Sequence, residues 1–285
     1  MWLHFNQPTV NQTETRWGLV ATDVGYSFEH DGKLFFIFGD SLPAPMFNGQ
    51  PNSQNDPPRR WDFNDGPIAF TSDTSADATG THCPKLDVVT DSVGAYKNPI
   101  VLNAQGQPAI EGRVDEAPIA GFSAGGKMYL LFMTDNPVYP SPGPTKNNLR
   151  MSTRSVLAVS DDDGQTFHYV YDFSKGPGAR FIEDAVANAA DGYIYFWGTP
   201  GGDLYRRSPV YLARLPQTAV DRPGRLEYFT GLGTDGKPRF SAAETDAAPL
   251  FHDSTVNTAG QLQVADREPQ TILNAERDVG HLQYS

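Results

Sequence analysis

Asp23 and Asp40 lie eight residues before Asp31 and eight residues after Gly32. Asp-Gly is a two-residue hairpin turn, and around it residues whose numbers sum to 63 face each other. That sum pairs Asp23 with Asp40, with Cβ atoms roughly 4.5–5.5 Å apart on one face. Two opposed carboxylates repel, and one then keeps its proton to a higher pH than usual. An acid beside a base is what glycoside hydrolysis requires, one carboxylic acid to protonate the leaving oxygen and one carboxylate to attack or to activate water. The same residues also admit a structural role. Asp40, in Phe38-Gly39-Asp40-Ser41, can start a turn, and Asp23 can bond nearby backbone.

The hairpin arithmetic repeats further along. Sums of 251 oppose Glu116 to Asp135 around Gly125-Gly126, and sums of 383 oppose Glu183 to Pro200 around Asp191-Gly192. Glu183 stands where Asp23 stands relative to its turn glycine, so Glu116, Asp135 and Glu183 are candidates for further carboxylates facing a substrate. A one-residue slip would turn each to the other face. The segments after these hairpins carry Trp61, Tyr139, Tyr205 and Arg206. Aromatic rings and guanidinium groups on one rim suit sugar rings and hydroxyls, and loops on one rim of a scaffold commonly carry function.

Three repeats must position these residues. Each has an Asp-Gly or Gly-Gly turn entering an aromatic strand: Lys33 to Phe38, Lys127 to Phe132, and Tyr193 to Trp197. Each continues into a third strand, at Pro67–Phe70, Ser155–Val159 and Pro209–Ala213, and a fourth, at Leu86–Val89, Phe167–Tyr171 and Leu226–Phe229. Four antiparallel strands per repeat is the make-up of a β-propeller blade. The expectation is an all-β chain with blades at about 16–91, 114–173 and 181–231. Between the last two strands of the second repeat, Ser160 to Phe167 match the Asp-box pattern S-x-D-x-G-x-T-[WF], read here as a braced turn.

The composition agrees with many turns between aromatic strands. Glycine (27) and proline (23) exceed their ~12% average share of a 285-residue chain, and aromatics reach 12%. A net charge of -12 opposes binding to phosphate backbones or anionic bilayers. Neither a nucleic acid nor a membrane is expected as a partner. No run of ~18 apolar residues occurs, and residues 1–8 lack the basic and apolar regions of a signal peptide. Cys83 is the single cysteine, so no internal disulfide forms. The six histidines show no metal-ligand spacing, so neither a metal nor a cofactor is expected. Gly121 to Lys127 mimics a phosphate loop, but Met128 follows and a strand continues, which makes it a hairpin turn.

The run from Thr22 to Ser41 (TDVGYSFEHDGKLFFIFGDS) resembles the opening signature of the domain-of-unknown-function 4185 family. Gly121-Phe122-Ser123 with Lys127–Phe132, and Tyr205 to Arg214, extend the resemblance, which runs from about Arg16 to Phe251. The family includes the endo-D-arabinanases of glycoside hydrolase family 183. The resemblance implies a five-bladed propeller and cleavage of α-D-arabinofuranosyl linkages in mycobacterial arabinogalactan or lipoarabinomannan. It places the family's paired blade-one aspartates on Asp23 and Asp40, and it implies action outside the cell.

About three blades and the start of a fourth are expected here, with residues 1–255 as the propeller domain and 256–285 as a polar tail. Val279-Gly280-His281-Leu282 resembles only the start of a fourth blade, with His281 where the family's pattern calls for Glu. A truncated frame explains such an unfinished ring, and a second chain supplying the missing blades is the alternative. The hydrolase reading also has an alternative, a non-catalytic carbohydrate-binding propeller or an inactive truncated family member. A sialidase-like enzyme is disfavoured, because its F-R-I-P-type motif is absent.

Overall fold

The computed structural model describes residues 9–22, 25–39, 41–51, 66–73, 83–110, 117–134, 154–176, 178–200 and 209–251. Those within 1–130 and 158–169 form one compact unit, and those within 131–157 and 170–285 form another. A five-residue helix α1 (Thr13–Trp17) opens the description. The strands β1 (Leu19–Thr22), β2 (Gly25–His30), β3 (Lys33–Phe38) and β4 (Ser41–Pro43) follow. Short strands come next: β5 (Met46–Phe47), β6 (Gln50–Pro51), β7 (Ile68–Thr71), β8 (Asp87–Val88) and β9 (Val101–Leu102). Long ones succeed them: β10 (Ala117–Ala124), β11 (Lys127–Thr134), β12 (Arg154–Ser160) and β13 (Phe167–Lys175). The last are β14 (Glu183–Asn188), β15 (Tyr193–Thr199), β16 (Val210–Pro216), β17 (Glu227–Leu232), β18 (Pro238–Ser241) and β19 (Pro249–Phe251).

The expected four-strand repeats appear as three sheets in sequential order, β2-β3-β7-β8, β10-β11-β12-β13 and β14-β15-β16-β17. Such antiparallel meanders are propeller blades, and the chain is an all-β protein of propeller type. Additional strands extend them. β9 lies parallel to β13, β18 adds to β17, and β19 pairs with β16. Two small pairs, β1-β4 and β5-β6, stand outside the blades.

Turn chemistry fixes each register. Asp31 (φ 46°) and Gly32 (φ 72°) are both left-handed, the signature of a two-residue type I′ turn, and β2 faces β3 from Gly25↔Phe38 to His30↔Lys33. Every pair sums to 63, as expected. The third hairpin corrects the sequence reading. Glu183 faces Thr199 rather than Pro200, and Asp184 faces Gly198. The reason is local: of the turn residues only Gly192 has a positive φ (86°), and the Ala189 N–H donates to the Tyr193 carbonyl (2.9 Å). The turn therefore takes three residues, Ala190 to Gly192, and the register shifts by one.

In the first unit the core is aromatic and aliphatic. Phe35 and Ile37 of β3 are fully buried, and Phe35 packs on Phe28 (5.8 Å between centroids) and Phe70 (5.5 Å). Each such ring contributes roughly 1.5–3 kcal/mol by leaving water. Phe28 reaches β10 because Gly121 has no side chain; a Cβ there would lie 2.3 Å from its ring. In the second unit Phe173 packs on Phe196 (4.8 Å), and Phe181 on Tyr228 (5.4 Å).

Candidate functional site

The first hairpin ends in a pinned strand terminus. Thr22 faces Ser41 across β1 and β4, their hydroxyls 2.7 Å apart, and the Ser41 hydroxyl is 3.0 Å from the Gly39 carbonyl. Gly66 sits so close that a Cβ would lie 2.0 Å from the Phe38 carbonyl oxygen. These contacts flank position 40 on both sides. Asp23 and Asp40 themselves lie outside the described residues, as do Trp61, Glu116, Asp135, Tyr139, Tyr205 and Arg206.

Glu183 is described, and it stands in an acidic cluster of the second unit. Burial pushes its carboxyl up to about 7. Its neighbour Asp184, pointing to the other face of β14, is 1% exposed, and neither carboxyl oxygen has a hydrogen-bond partner among the described residues. Desolvation, followed by repulsion from Glu244 and Glu183, raises it well above the ordinary range. Asp184 fits only because its cross-strand partner is Gly198, where a Cβ would lie 2.7 Å from Asp184 Oδ1 and 2.3 Å from the Phe181 ring. Glu244 is also raised by burial, although its Oε1 accepts from the Arg180 N–H (2.6 Å) and the Ser174 hydroxyl (2.5 Å). A carboxyl that titrates near neutrality can give or take a proton at working pH, as Glu183 can.

The sequence reading singled out Glu183 and missed Asp184 and Glu244. Adjacent acids opening a strand that precedes Ala-Val-Ala are a usable signal, since one of the two must point inward. Glu244, about sixty residues on, has no such signal.

A third cluster lies in the first unit. His30 is buried, with its Nδ1 2.8 Å from the Ser123 hydroxyl and its Nε2 3.5 Å from Asp163 Oδ1 and 3.9 Å from Asp31 Oδ2. The ammonium of Lys33 donates to Asp163 Oδ2 (2.9 Å), and that bond heads the causes that hold the Asp163 carboxyl below its ordinary range. Asp163 belongs to the turn Ser160 to Phe167. There the Asp162 carboxylate accepts from the Thr166 N–H (2.8 Å), and the Gly164 N–H donates to the Ser160 hydroxyl (2.9 Å). These bonds within the turn fit the braced-turn reading.

Successive four-stranded meanders of the propeller kind, with acidic residues at strand ends, define the class of protein. The chain belongs to the DUF4185 family, a domain of unknown function whose profile matches residues 9–274. No curated protein matches the sequence. Among solved structures, a GH43_1 enzyme from Xanthomonas citri is similar at 14% identity and a TM-score of 0.40, over 79% of this chain and 60% of that one. An α-L-arabinofuranosidase from Lactobacillus brevis is similar at 11% identity and 0.40, over 89% and 81%. A GH43 β-xylosidase/α-arabinofuranosidase from a compost microbial metagenome is similar at 14% and 0.39, over 86% and 67%. The chain spans about 60% of the length of the Xanthomonas enzyme. No helix among the described residues is long and apolar enough to cross a membrane.

Proposed function

We propose that this chain is a glycoside hydrolase acting on α-D-arabinofuranosyl linkages of mycobacterial-type arabinan, with Asp23 and Asp40 as its acid and its base or nucleophile. The substrate class rests on the resemblance of the TDVGYSFEHDGKLFFIFGDS run to the family's endo-D-arabinanases. The observation that carries the chemistry is the register on both sides of the two aspartates. Thr22 faces Ser41 and Gly25 faces Phe38, and both pairs sum to 63, the sum at which Asp23 and Asp40 would be partners. A carboxyl separation near 5 Å would give retention of configuration, and ~6.5–9.5 Å inversion.

The test is release of arabino-oligosaccharides from mycobacterial arabinogalactan by the purified chain, beside Asp23→Asn and Asp40→Asn. Release by the parent and none by either variant is the expected outcome. Binding to arabinan without turnover, unchanged in both variants, would instead define a non-catalytic carbohydrate-binding propeller.

A further inference from the structure

We propose that His30, Asp31 and Asp163 form a binding site for a divalent transition-metal ion of the zinc class, independent of the proposed hydrolysis. Their ligand atoms all lie within 4.8 Å of one another. His30 Nε2 is 3.5 Å from Asp163 Oδ1 and 3.9 Å from Asp31 Oδ2, longer than the ~2.7–3.2 Å of a direct N–H···O bond. The first matches the separation of two ligands on one zinc ion, about 3.3–3.6 Å for bonds of ~2.0–2.2 Å in a tetrahedron, and the second exceeds it by about 0.3 Å, a shift that the exposed Asp31 side chain can make.

The surroundings favour the same reading. His30 is 4% exposed, so its ring cannot swing into water, and its Nδ1 lies 2.8 Å from the Ser123 hydroxyl. With the Nδ1 proton donated to that hydroxyl, the lone pair of Nε2 points at two carboxylates, the orientation given by a second-shell hydrogen bond on a metal-ligating histidine. In the other tautomer the Nε2–H faces them and Nδ1 accepts from the Ser123 hydroxyl, the arrangement that a failed metal titration would leave. In the first, a lone pair facing two carboxylates is favourable only with a positive charge between them. The Lys33 ammonium does not supply it there, because it bonds Asp163 Oδ2 and leaves Oδ1 directed at His30. One nitrogen and two carboxylate oxygens suit zinc, whereas calcium takes six to eight oxygens. Asp31 and Asp163 side chains are 66% and 48% exposed, so water can complete the coordination. The sequence hides the site, because Asp163 comes from the turn between β12 and β13, while His30 ends β2 and Asp31 opens the turn that follows it.

The test is titration of the chelator-stripped chain with zinc chloride, followed by calorimetry and by melting, with magnesium chloride alongside. One zinc ion per chain and a Tm raised by several degrees at saturation are expected, with no response to magnesium. Asp31 is exposed, so Asp31→Asn keeps the fold; it and Asp163→Asn should each weaken zinc binding at least tenfold. Asp161→Asn, in the same turn but paired with Lys127 (3.2 Å), should leave it unchanged. No stoichiometric uptake, or uptake equal in the parent and both ligand variants, would overturn the proposal and leave a histidine–carboxylate ion pair.

Discussion

Glu183→Gln should stabilise the protein near neutral pH, against the usual direction of substitutions. Burial raises the Glu183 carboxyl from its ordinary 4.5 to about 7. The folded carboxyl therefore keeps its proton where the unfolded one has lost it. Its contribution to stability is fully present below pH 4.5, is lost as the pH climbs from 4.5 to 7, and stays lost above. At ~1.36 kcal/mol per pH unit the loss at pH 7 is about 3 kcal/mol, of which about 2 kcal/mol falls between pH 5 and pH 7. Gln keeps the size and hydrogen-bonding atoms but carries no proton to lose. Urea unfolding at pH 5 and pH 7 tests this. With a slope near 3 kcal/mol/M, the parent midpoint should drop by roughly 0.7 M relative to the variant across that interval. Parallel behaviour of the two proteins from pH 5 to pH 7 would refute the reasoning. A carboxyl that costs stability at working pH is what a site kept for chemistry is expected to show.

Asp184→Asn should likewise flatten the pH dependence, since desolvation and the repulsion of Glu244 and Glu183 raise that carboxyl too; melting from pH 4 to pH 8 reads it. On the acid side the trend reverses. Although burial opposes it, hydrogen bonds and charge from Lys175 and Arg154 lower Asp172, and stability should fall below about pH 4, which the same series measures. Gly198→Ala should cost about 1–3 kcal/mol or more in urea unfolding, because the new methyl meets the Phe181 ring, Asp184 Oδ1 and the Arg180 carbonyl oxygen at 2.3–2.8 Å. Asp162→Ala should cost ~0.5–1.5 kcal/mol by removing the acceptor of the exposed Thr166 N–H bond, while leaving arabinan release unchanged in an endpoint assay.

The repeat organisation was legible because turn chemistry and strand periodicity coincide. Asp31-Gly32 announced a type I′ turn, and the register followed it residue by residue. Asp191-Gly192 carries the same two letters, yet there Ala190 joins the turn, and the difference lies in which residues take positive φ rather than in the letters. β8 was legible as the fourth strand of the first repeat, but the two-residue β9 is too short to show a period, and its parallel placement against β13 depends on contacts distant in sequence. The acidic cluster was half legible. Glu183 could be found from its distance to the turn, but the inward partner Asp184 needed the true register, and Glu244 needed the fold. His30 and Asp163 meet only because two turns of different sheets lie together.

The central claim is that Asp23 and Asp40 perform glycosidic cleavage, and initial rates of reducing-end release from arabinan test it most directly. In parent, Asp23→Asn and Asp40→Asn proteins matched for Tm, each variant should lose at least ~10³-fold in rate while melting at or above the parent temperature. Variants that keep the parent rate, or that lose it only in proportion to lost fold, would contradict the account.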